Sequence, residues 1–449
     1  MRLLGYLMVS CSTFLMTRRI VSSSLFILFS LCSSAQERVL TLNEIFRLAD
    51  ENSKSIRMHQ LAIEEAEQGI KVARNAYLPS LSLKAEASYI GDGYMTDRDF
   101  SNGIHAEMPH FGNSFVVKAQ QVIYADGGIK SSIEQNKLQK QISEQTYLDN
   151  RQNLRFLLAG YYLDLFQLRN QELVYQKNIE QTRLLVKDMQ AAYRQGTALK
   201  SDITRYELQL QNLELKRTST INKLNVLNHE LVTTLGLEEG IRIVPDTAYL
   251  QHQLIEERDE KSWSEGIQEA PIMKLADIQI ALGKNQKNLI KAERRPHISF
   301  SITNELSGPI LIEVPPLNNN FTYWFMGVGV SYNIDALFKE KRKLKQADIT
   351  LMKLQEKRKL AEEELENNVH EAYVNLQEAY IRLRTQKKSV QLAHENFNIV
   401  RQRYVNGLAL ITDMLDASNT QLDMELQLAN YQVGILYQYF LLKKIVGTL

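Results

Sequence analysis

Cysteine and proline are both scarce in this sequence. The few cysteines argue against disulfides and cysteine-ligated metals, and the few prolines leave long stretches without a helix breaker. The chain of 449 residues contains 2 cysteines and 8 prolines. Both cysteines, Cys11 and Cys32, precede the predicted cleavage site of a signal peptide, so we expect the mature chain to hold no disulfide and no cysteine-ligated metal. No proline interrupts residues 129–244 or 317–449. Helices can therefore run uninterrupted there. Gly160 is the only glycine in residues 129–195, and residues 331–406 contain none, so each of these shorter stretches can form a helix about 100 Å long.

The sequence also lacks an excess of charge or of apolar residues. It has 53 basic and 52 acidic residues, and its mean hydropathy is -0.29. Loss of the signal peptide would remove three arginines and no acidic residue, which leaves a slightly acidic mature chain. This balance argues against a nucleic-acid partner, and the hydropathy argues against a multi-helix membrane protein.

No combination of residues typical of catalysis stands out, so we expect neither an enzyme nor a bound cofactor. The 8 histidines are scattered along the chain. His105 and His110 lie near Glu107 in a predicted surface loop, but no third ligand approaches in sequence. We therefore favour a solvated loop over a metal site there.

Residues 1–35 have the features of a secretory signal peptide. Arg18 and Arg19 precede an apolar run over residues 20–31, and the small residues Ser33 and Ala35 precede the predicted cleavage point. The run is too short to cross a bilayer, which takes about 20 residues.

Two alternatives remain open at this end of the chain. Translation could start at Met16, since the apolar stretch before it fits no part of a signal peptide. Cys32 could carry a lipid anchor, although the bulky Leu31 before it disfavours this.

The proline-free stretches repeat each other without a gap at an offset of 211 residues. Apolar residues in both follow the alternating four-and-three spacing of a coiled-coil seam: Leu154, Leu158, Tyr161, Leu165 and Leu168 recur as Leu365, Val369, Ala372, Leu376 and Ala379. This spacing predicts core packing and by itself says nothing about function. A second set of matching residues surrounds a turn in each repeat. Tyr193, Gly196, Ala198, Leu199, Ser201 and Asp202 recur there as Tyr404, Gly407, Ala409, Leu410, Thr412 and Asp413.

A β-hairpin is predicted within each repeat. Pro79 and Pro296 each end a helical pattern and begin an alternation of apolar and polar residues. The hairpins are predicted at about 80–124 and 297–334, with returning strands at 115–124 and 321–334. Four strands cannot close around a lumen, because closed barrels need about eight or more. Any barrel must therefore be assembled between subunits.

This order of elements resembles the TolC family of outer-membrane efflux proteins over essentially the whole mature chain. The motifs that carry the resemblance are LNEIFRLA at 42–49, ARNAYLP at 73–79, YADGG at 124–128 and the two Tyr-x-x-Gly turns. The implied fold is mainly α with a β-barrel contribution, in two repeats of helix, β-hairpin, long helix and helix. The resemblance further implies a homotrimer with a twelve-stranded barrel on a twelve-helix coiled-coil tunnel.

The predicted organisation has four parts: a signal peptide at 1–35, a first repeat at 36–240, a linker at 241–262 and a second repeat at 263–449. The implied function is an outer-membrane exit duct of a tripartite efflux or type I secretion system. Its partners would be outer-membrane lipid, a periplasmic adaptor (membrane fusion) protein and an inner-membrane RND or ABC transporter. The alternative is a periplasmic coiled-coil scaffold without channel activity, which would explain the helices but not the strands.

The resemblance also assigns roles to residues near the two turns. Gly196 and Gly407 match turn glycines around which the adaptor docks, while Asp413 and Asp416 match paired aspartates at the periplasmic aperture. Being three residues apart, these two aspartates share a helix face.

Tyr404 and Asp202 match a tyrosine and an aspartate that link neighbouring coiled coils in the closed state. Polar residues that complete this network in the family correspond here to Leu185, Arg401 and Ala409, so a charged link is expected to be absent or rebuilt. A simpler alternative for Asp202 and Asp413 is that each is an acid at a helix start.

Overall fold

The computed structural model describes residues 37–246, 258–313 and 316–449. The predicted signal peptide, with Cys11 and Cys32, lies outside the described residues, as does half of the predicted linker, residues 247–257. The chain forms two compact units. We call the one built from residues 58–149 and 268–365 the sheet unit, and the one that includes residues 150–267 and 366–449 the helical unit. Each unit draws residues from both sequence repeats.

Helices make up most of the described chain, and two of them are very long. The α-helices of the described chain are α1 (Leu42–Asn52), α2 (Lys54–Arg74), α3 (Gly128–Arg194), α4 (Lys200–Leu235), α5 (Glu260–Gly266), α6 (Pro271–Glu293), α7 (Ala336–Val405) and α8 (Ile411–Ile445). The 67 residues of α3 and the 70 of α7 confirm the two long helices, each about 100 Å at the usual rise. Within the described ranges, no helix is long and apolar enough to cross a membrane.

The sheet unit contains a four-stranded antiparallel sheet. Its strands are β2 (Ser80–Tyr89), β5 (Phe111–Tyr124), β7 (His297–Gly308) and β8 (Phe321–Ser331), in the spatial order β2-β5-β7-β8. A short hairpin of β3 (Gly93–Met95) and β4 (Ile104–Ala106) lies between β2 and β5 in sequence. The two predicted hairpins are confirmed, but β5 begins four residues earlier than predicted and β8 ends three residues earlier.

The sheet has one apolar and one mostly polar face. Residues paired across strands point to the same side, so the register assigns each side chain to a face. The apolar face carries Leu81, Leu83, Phe115, Val117, Ile298, Phe300, Ile302, Trp324, Met326 and Val328, and the polar face carries Ser82, Lys84, Glu86, Ser114, Lys118, Ser301, Thr303 and Glu305. Most of these apolar side chains are exposed in the single chain.

The helical unit packs its coiled-coil seam as predicted. Leu158, Leu165, Val369 and Ala372 from the repeated four-and-three pattern are all buried. Also in this unit, β1 (Glu37–Leu40) pairs in parallel with β6 (Arg242–Pro245). The pair lies against Tyr162, whose hydroxyl donates to the Leu40 carbonyl at 2.9 Å.

A partly buried ion-pair cluster holds α1 against α3 in the same unit. The Asp50 carboxylate accepts hydrogen bonds from Arg151 at 2.7 Å and from Arg155 at 2.5 Å. Partial burial works against ionisation of Asp50, but the two guanidinium groups outweigh it and lower its pKa. Helices far apart in sequence are thereby locked together.

Candidate functional site

Two turns, between α3 and α4 and between α7 and α8, end their first helices in the same way. In each, the N–H three residues past the last helical residue donates to a carbonyl five residues earlier: Thr197 to Ala192 at 3.0 Å, and Leu408 to Arg403 at 2.8 Å. This is the Schellman arrangement, which requires a left-handed residue between helix and turn. Gly196 and Gly407 supply it, with φ of +76° and +72°.

The turn glycines lie in open space. A Cβ added to Gly196 or Gly407 would meet no atom within 4 Å. The need for glycine therefore comes from the backbone conformation and not from crowding. A side chain placed there would strain the turn and alter its outer surface.

Asp202 and Asp413 occupy equivalent places at the starts of α4 and α8. The Asp202 carboxylate accepts the N–H of Leu199 at 3.3 Å, and that of Asp413 accepts the N–H of Leu410 at 3.0 Å. An acid in the first turn also interacts favourably with the helix dipole. The helix-start role is thus present at both positions, and Asp413 still exposes its side chain to solvent.

Asp416 has no such local function. It lies one turn further along α8 and is exposed, and no hydrogen bond or ion pair is found for it among the described residues. The spacing puts it on the same face as Asp413. The structure therefore presents two solvent-facing carboxylates in succession along α8.

An apolar core underlies the turns and joins both helix pairs. Its buried members are Leu185, Val186, Met189, Tyr206 and Met414. Tyr404 packs on this core, and its hydroxyl contacts the Met189 sulfur at 3.1 Å. Burial raises the pKa of Tyr206, whose hydroxyl has no hydrogen-bond partner among the described residues.

The structure brings Tyr404 and Asp202 together. Both line a cavity of about 690 Å³ between the two turns. Burial is the main cause of a raised pKa at Tyr404, and the negative charge of Asp202 adds to it. Of the three positions matched to the family's polar network, Leu185 belongs to the apolar core. Arg401 is exposed, and Ala409 lines the cavity.

Comparison with known proteins settles the family. The model of the family described as "Outer membrane efflux protein" matches residues 45–224 and 264–448, which is most of the chain. The chain belongs to the outer membrane efflux protein family. The TolC resemblance drawn from the sequence motifs is thereby confirmed. A search of curated proteins finds no match.

Solved structures show the same fold at low sequence identity. The outer membrane protein VceC of Vibrio cholerae is 14% identical, with a TM-score of 0.72 over 90% of this chain and 96% of its own. A membrane protein from Pseudomonas aeruginosa is 15% identical with a TM-score of 0.75, covering 90% of both chains. The open-state MtrE outer membrane channel of Neisseria gonorrhoeae is 16% identical with a TM-score of 0.71, covering 90% of this chain and 88% of its own.

The histidine loop gains a third polar group that the sequence did not suggest. The Nε2 atoms of His105 and His110 lie 3.8 and 4.0 Å from the carboxylate of Asp92, which precedes β3. Even so, the described residues contain no group of three His, Cys, Asp or Glu side chains placed to hold a metal ion. Glu107, considered with the histidines, does not complete a site.

Sequence reasoning missed two features that are relevant to function. Extending the 211-residue offset three positions beyond Asp413 pairs Asp416 with Arg205, so the two turns differ in charge. The second feature is a row of aromatic side chains on the polar face of β8, at Phe321, Tyr323 and Phe325. The row could have been found in the sequence, because these three aromatic residues occupy successive odd-numbered positions of the strand, alternating with Thr322, Trp324 and Met326.

Proposed function

We propose that the chain is the outer-membrane exit duct of a tripartite efflux or type I secretion system and acts as a homotrimer. It would be a passive conduit, with its sheet in the outer membrane and its helices in the periplasm. A periplasmic adaptor and an inner-membrane RND or ABC transporter would open its periplasmic end. Family membership supports the channel role, and the finer assignments are inferences from the chain's own features.

The four-stranded sheet is the feature that best supports this proposal. It pairs apolar side chains on one face with polar ones on the other, and within the described residues its outer strands, β2 and β8, each pair on one side only. Unpaired backbone groups cannot remain in hydrocarbon, so such a sheet must close with other copies. The antiparallel order allows β8 of one chain to pair antiparallel with β2 of the next.

Mass measurement of the purified protein in mild detergent tests the assembly. Three chains per particle, together with ion conductance in planar bilayers, are expected. Cysteines placed at Ser82 on β2 and Gly327 on β8 should cross-link between chains and not within one, since these strands form opposite edges of the sheet. A conducting monomer would refute the proposed architecture.

The alternative of a periplasmic scaffold is separated by fractionation. A scaffold would appear in the soluble periplasm, whereas the channel would require detergent extraction from the outer membrane. The exposed apolar residues of β8, among them Trp324, Met326 and Val328, favour the membrane. A soluble protein rarely exposes so continuous an apolar face.

The two turns are proposed as the periplasmic end of the duct. Gly196 and Gly407 would shape the surface on which the adaptor docks, and Tyr404 with Asp202 would link neighbouring coiled coils in the closed state. Asp413 and Asp416 would form the aperture, where threefold symmetry would gather six carboxylates. Their mutual repulsion would favour binding of cations.

A further inference from the structure

Three aromatic side chains form a ladder on the polar face of β8. The Phe321 and Tyr323 rings lie 5.4 Å apart between centroids at 27°, and the Tyr323 and Phe325 rings lie 6.0 Å apart at 19°. They are 54%, 41% and 48% exposed. We call Phe321, Tyr323 and Phe325 the aromatic ladder.

The register fixes which face the ladder occupies. Phe321 pairs with Ser307, Tyr323 with Glu305 and Phe325 with Thr303, all on the polar side of β7. The aromatic belt of a membrane barrel lies on the lipid-facing side. The ladder lies on the opposite side, so contact with lipid does not explain it.

A carboxylate lies beside the middle ring. The Tyr323 hydroxyl donates to Glu305 Oε2 at 3.1 Å. In the described part of the chain, no basic group lies within 4.0 Å of Glu305, whereas Lys84 and Glu86 on the same face pair with each other at 2.5 Å. Lys118 lies on β5, the strand next to β7, diagonally from Glu305, and no ion pair joins the two in the described chain. The ladder therefore borders a negative charge.

We propose that the aromatic ladder and Glu305 form a binding site for organic cations with an aromatic body, on the inner wall of the barrel. The rings would remove the apolar part of the solute from water, and the carboxylate would attract its charge. This inference rests on the proposed channel function, because only barrel closure makes the polar face a lumen. It deepens that function by naming a solute class that would pause in transit.

The test is block of ion conductance by ethidium, a planar aromatic cation, in purified trimers in planar bilayers. The triple variant F321A/Y323A/F325A should raise the half-blocking concentration about tenfold, which corresponds to loss of roughly 55 Å² of buried apolar contact. E305Q, which keeps all three rings, should raise it about threefold. Naphthalene disulfonate, an aromatic anion, should block weakly and gain from E305Q.

One matched control bears on the result. Trp324→Ala removes an aromatic ring from the same strand but from the apolar face. It should change ethidium block by less than about twofold. Equal loss in Trp324→Ala would show that ethidium acts through the lipid, and would overturn the site.

The remaining outcomes separate this inference from the channel itself. A wild-type preparation that forms no conducting trimer refutes the channel. A conducting trimer whose ethidium block is unchanged in the triple variant, or in E305Q, refutes only the cation site. If the triple variant dissociates while E305Q leaves block unchanged, the ladder seals the joint with a neighbouring chain, and the proposed site is wrong.

Discussion

The turn after α3 and the turn after α7 have nearly the same backbone but differ in charge at one matched position. Each has a left-handed glycine, a Schellman hydrogen bond and an aspartate that accepts the N–H at the start of the next helix. One helical turn later, the first repeat has Arg205 and the second has Asp416. The first turn is thus balanced in charge, and the second is doubly acidic.

This comparison separates what the fold requires from what it does not. Asp202 and Asp413 are common to both repeats and are explained by the helix starts that they cap. Asp416 has no equivalent in the first repeat and no local structural partner in the described chain. The aperture hypothesis therefore depends more on Asp416 than on Asp413.

The largest expected effect comes from removing the acidic pair. A monovalent cation about 8 Å from one carboxylate gains about 2 kcal/mol at an effective dielectric of about 20. We expect Asp416→Asn to lower the preference for cations over anions by about tenfold, and the double variant D413N/D416N to abolish block by multivalent cations. Reversal potentials and single-channel recordings measure both.

The first turn provides the control for this prediction. Asp202→Asn removes a first-turn acid in the same way as Asp413→Asn, at a cost of about 0.3–1 kcal/mol. It should leave the selectivity of the open channel unchanged, and loss of its proposed gate link should alter only how often the channel opens. Unchanged selectivity in D413N/D416N at full trimer yield would contradict the aperture assignment. Only the helix-start role of Asp413 would then stand.

A smaller effect is expected where the two turns are alike. Gly196→Val and Gly407→Val should each cost about 1–2 kcal/mol, because valine is forced into a left-handed conformation without meeting any atom. Adaptor affinity, measured on purified components, should fall by about tenfold for either variant.

Gly160→Val is the matched substitution within α3. That glycine also has open space around it, but it does not have a left-handed backbone. The change should leave adaptor affinity within about twofold. If both turn variants bind the adaptor normally while their trimers are intact, the turns are not the docking surface.

The elements that were predicted well are those with signals close together in sequence. The glycine-poor stretches predicted both ends of α3 and the end of α7 to within one residue, whereas α7 begins at Ala336, five residues later than residue 331. The parallel pair β1 and β6 was missed, because each strand has only four residues and its partner lies about two hundred positions away. The Asp50 cluster with Arg151 and Arg155 was missed for the same reason, since no local pattern marks such a contact.

The turn residues show a similar limit. The repeat offset identified Gly196, Gly407, Asp202 and Asp413 from the sequence, because equivalent residues serve equivalent backbone positions. It could not show that Leu185 would enter an apolar core with residues from both helix pairs, since that core depends on how the pairs pack. The surroundings of Leu185 could be described only from the structure.

The smallest expected effect concerns two tyrosines in that core, one from each helix pair. The Tyr206 hydroxyl is buried without a hydrogen-bond partner in the described chain, whereas the Tyr404 hydroxyl contacts the Met189 sulfur. Tyr206→Phe should therefore raise the free energy of unfolding by up to about 1 kcal/mol, and Tyr404→Phe should leave it unchanged or lower it slightly. Chemical denaturation of the trimer at fixed protein concentration measures the difference.

The same pair predicts a dependence on pH. Burial raises the pKa of both tyrosines in the folded state, so below pH about 10 both are protonated in the folded and unfolded chains, and the pH has no effect through them. Above that pH the unfolded chain releases these protons first, and stability should fall. Tyr206→Phe should reduce the fall more than Tyr404→Phe, because Tyr206 is the more deeply buried. A destabilised Tyr206→Phe variant with an unchanged alkaline slope would show instead that water satisfies the Tyr206 hydroxyl in the assembled trimer.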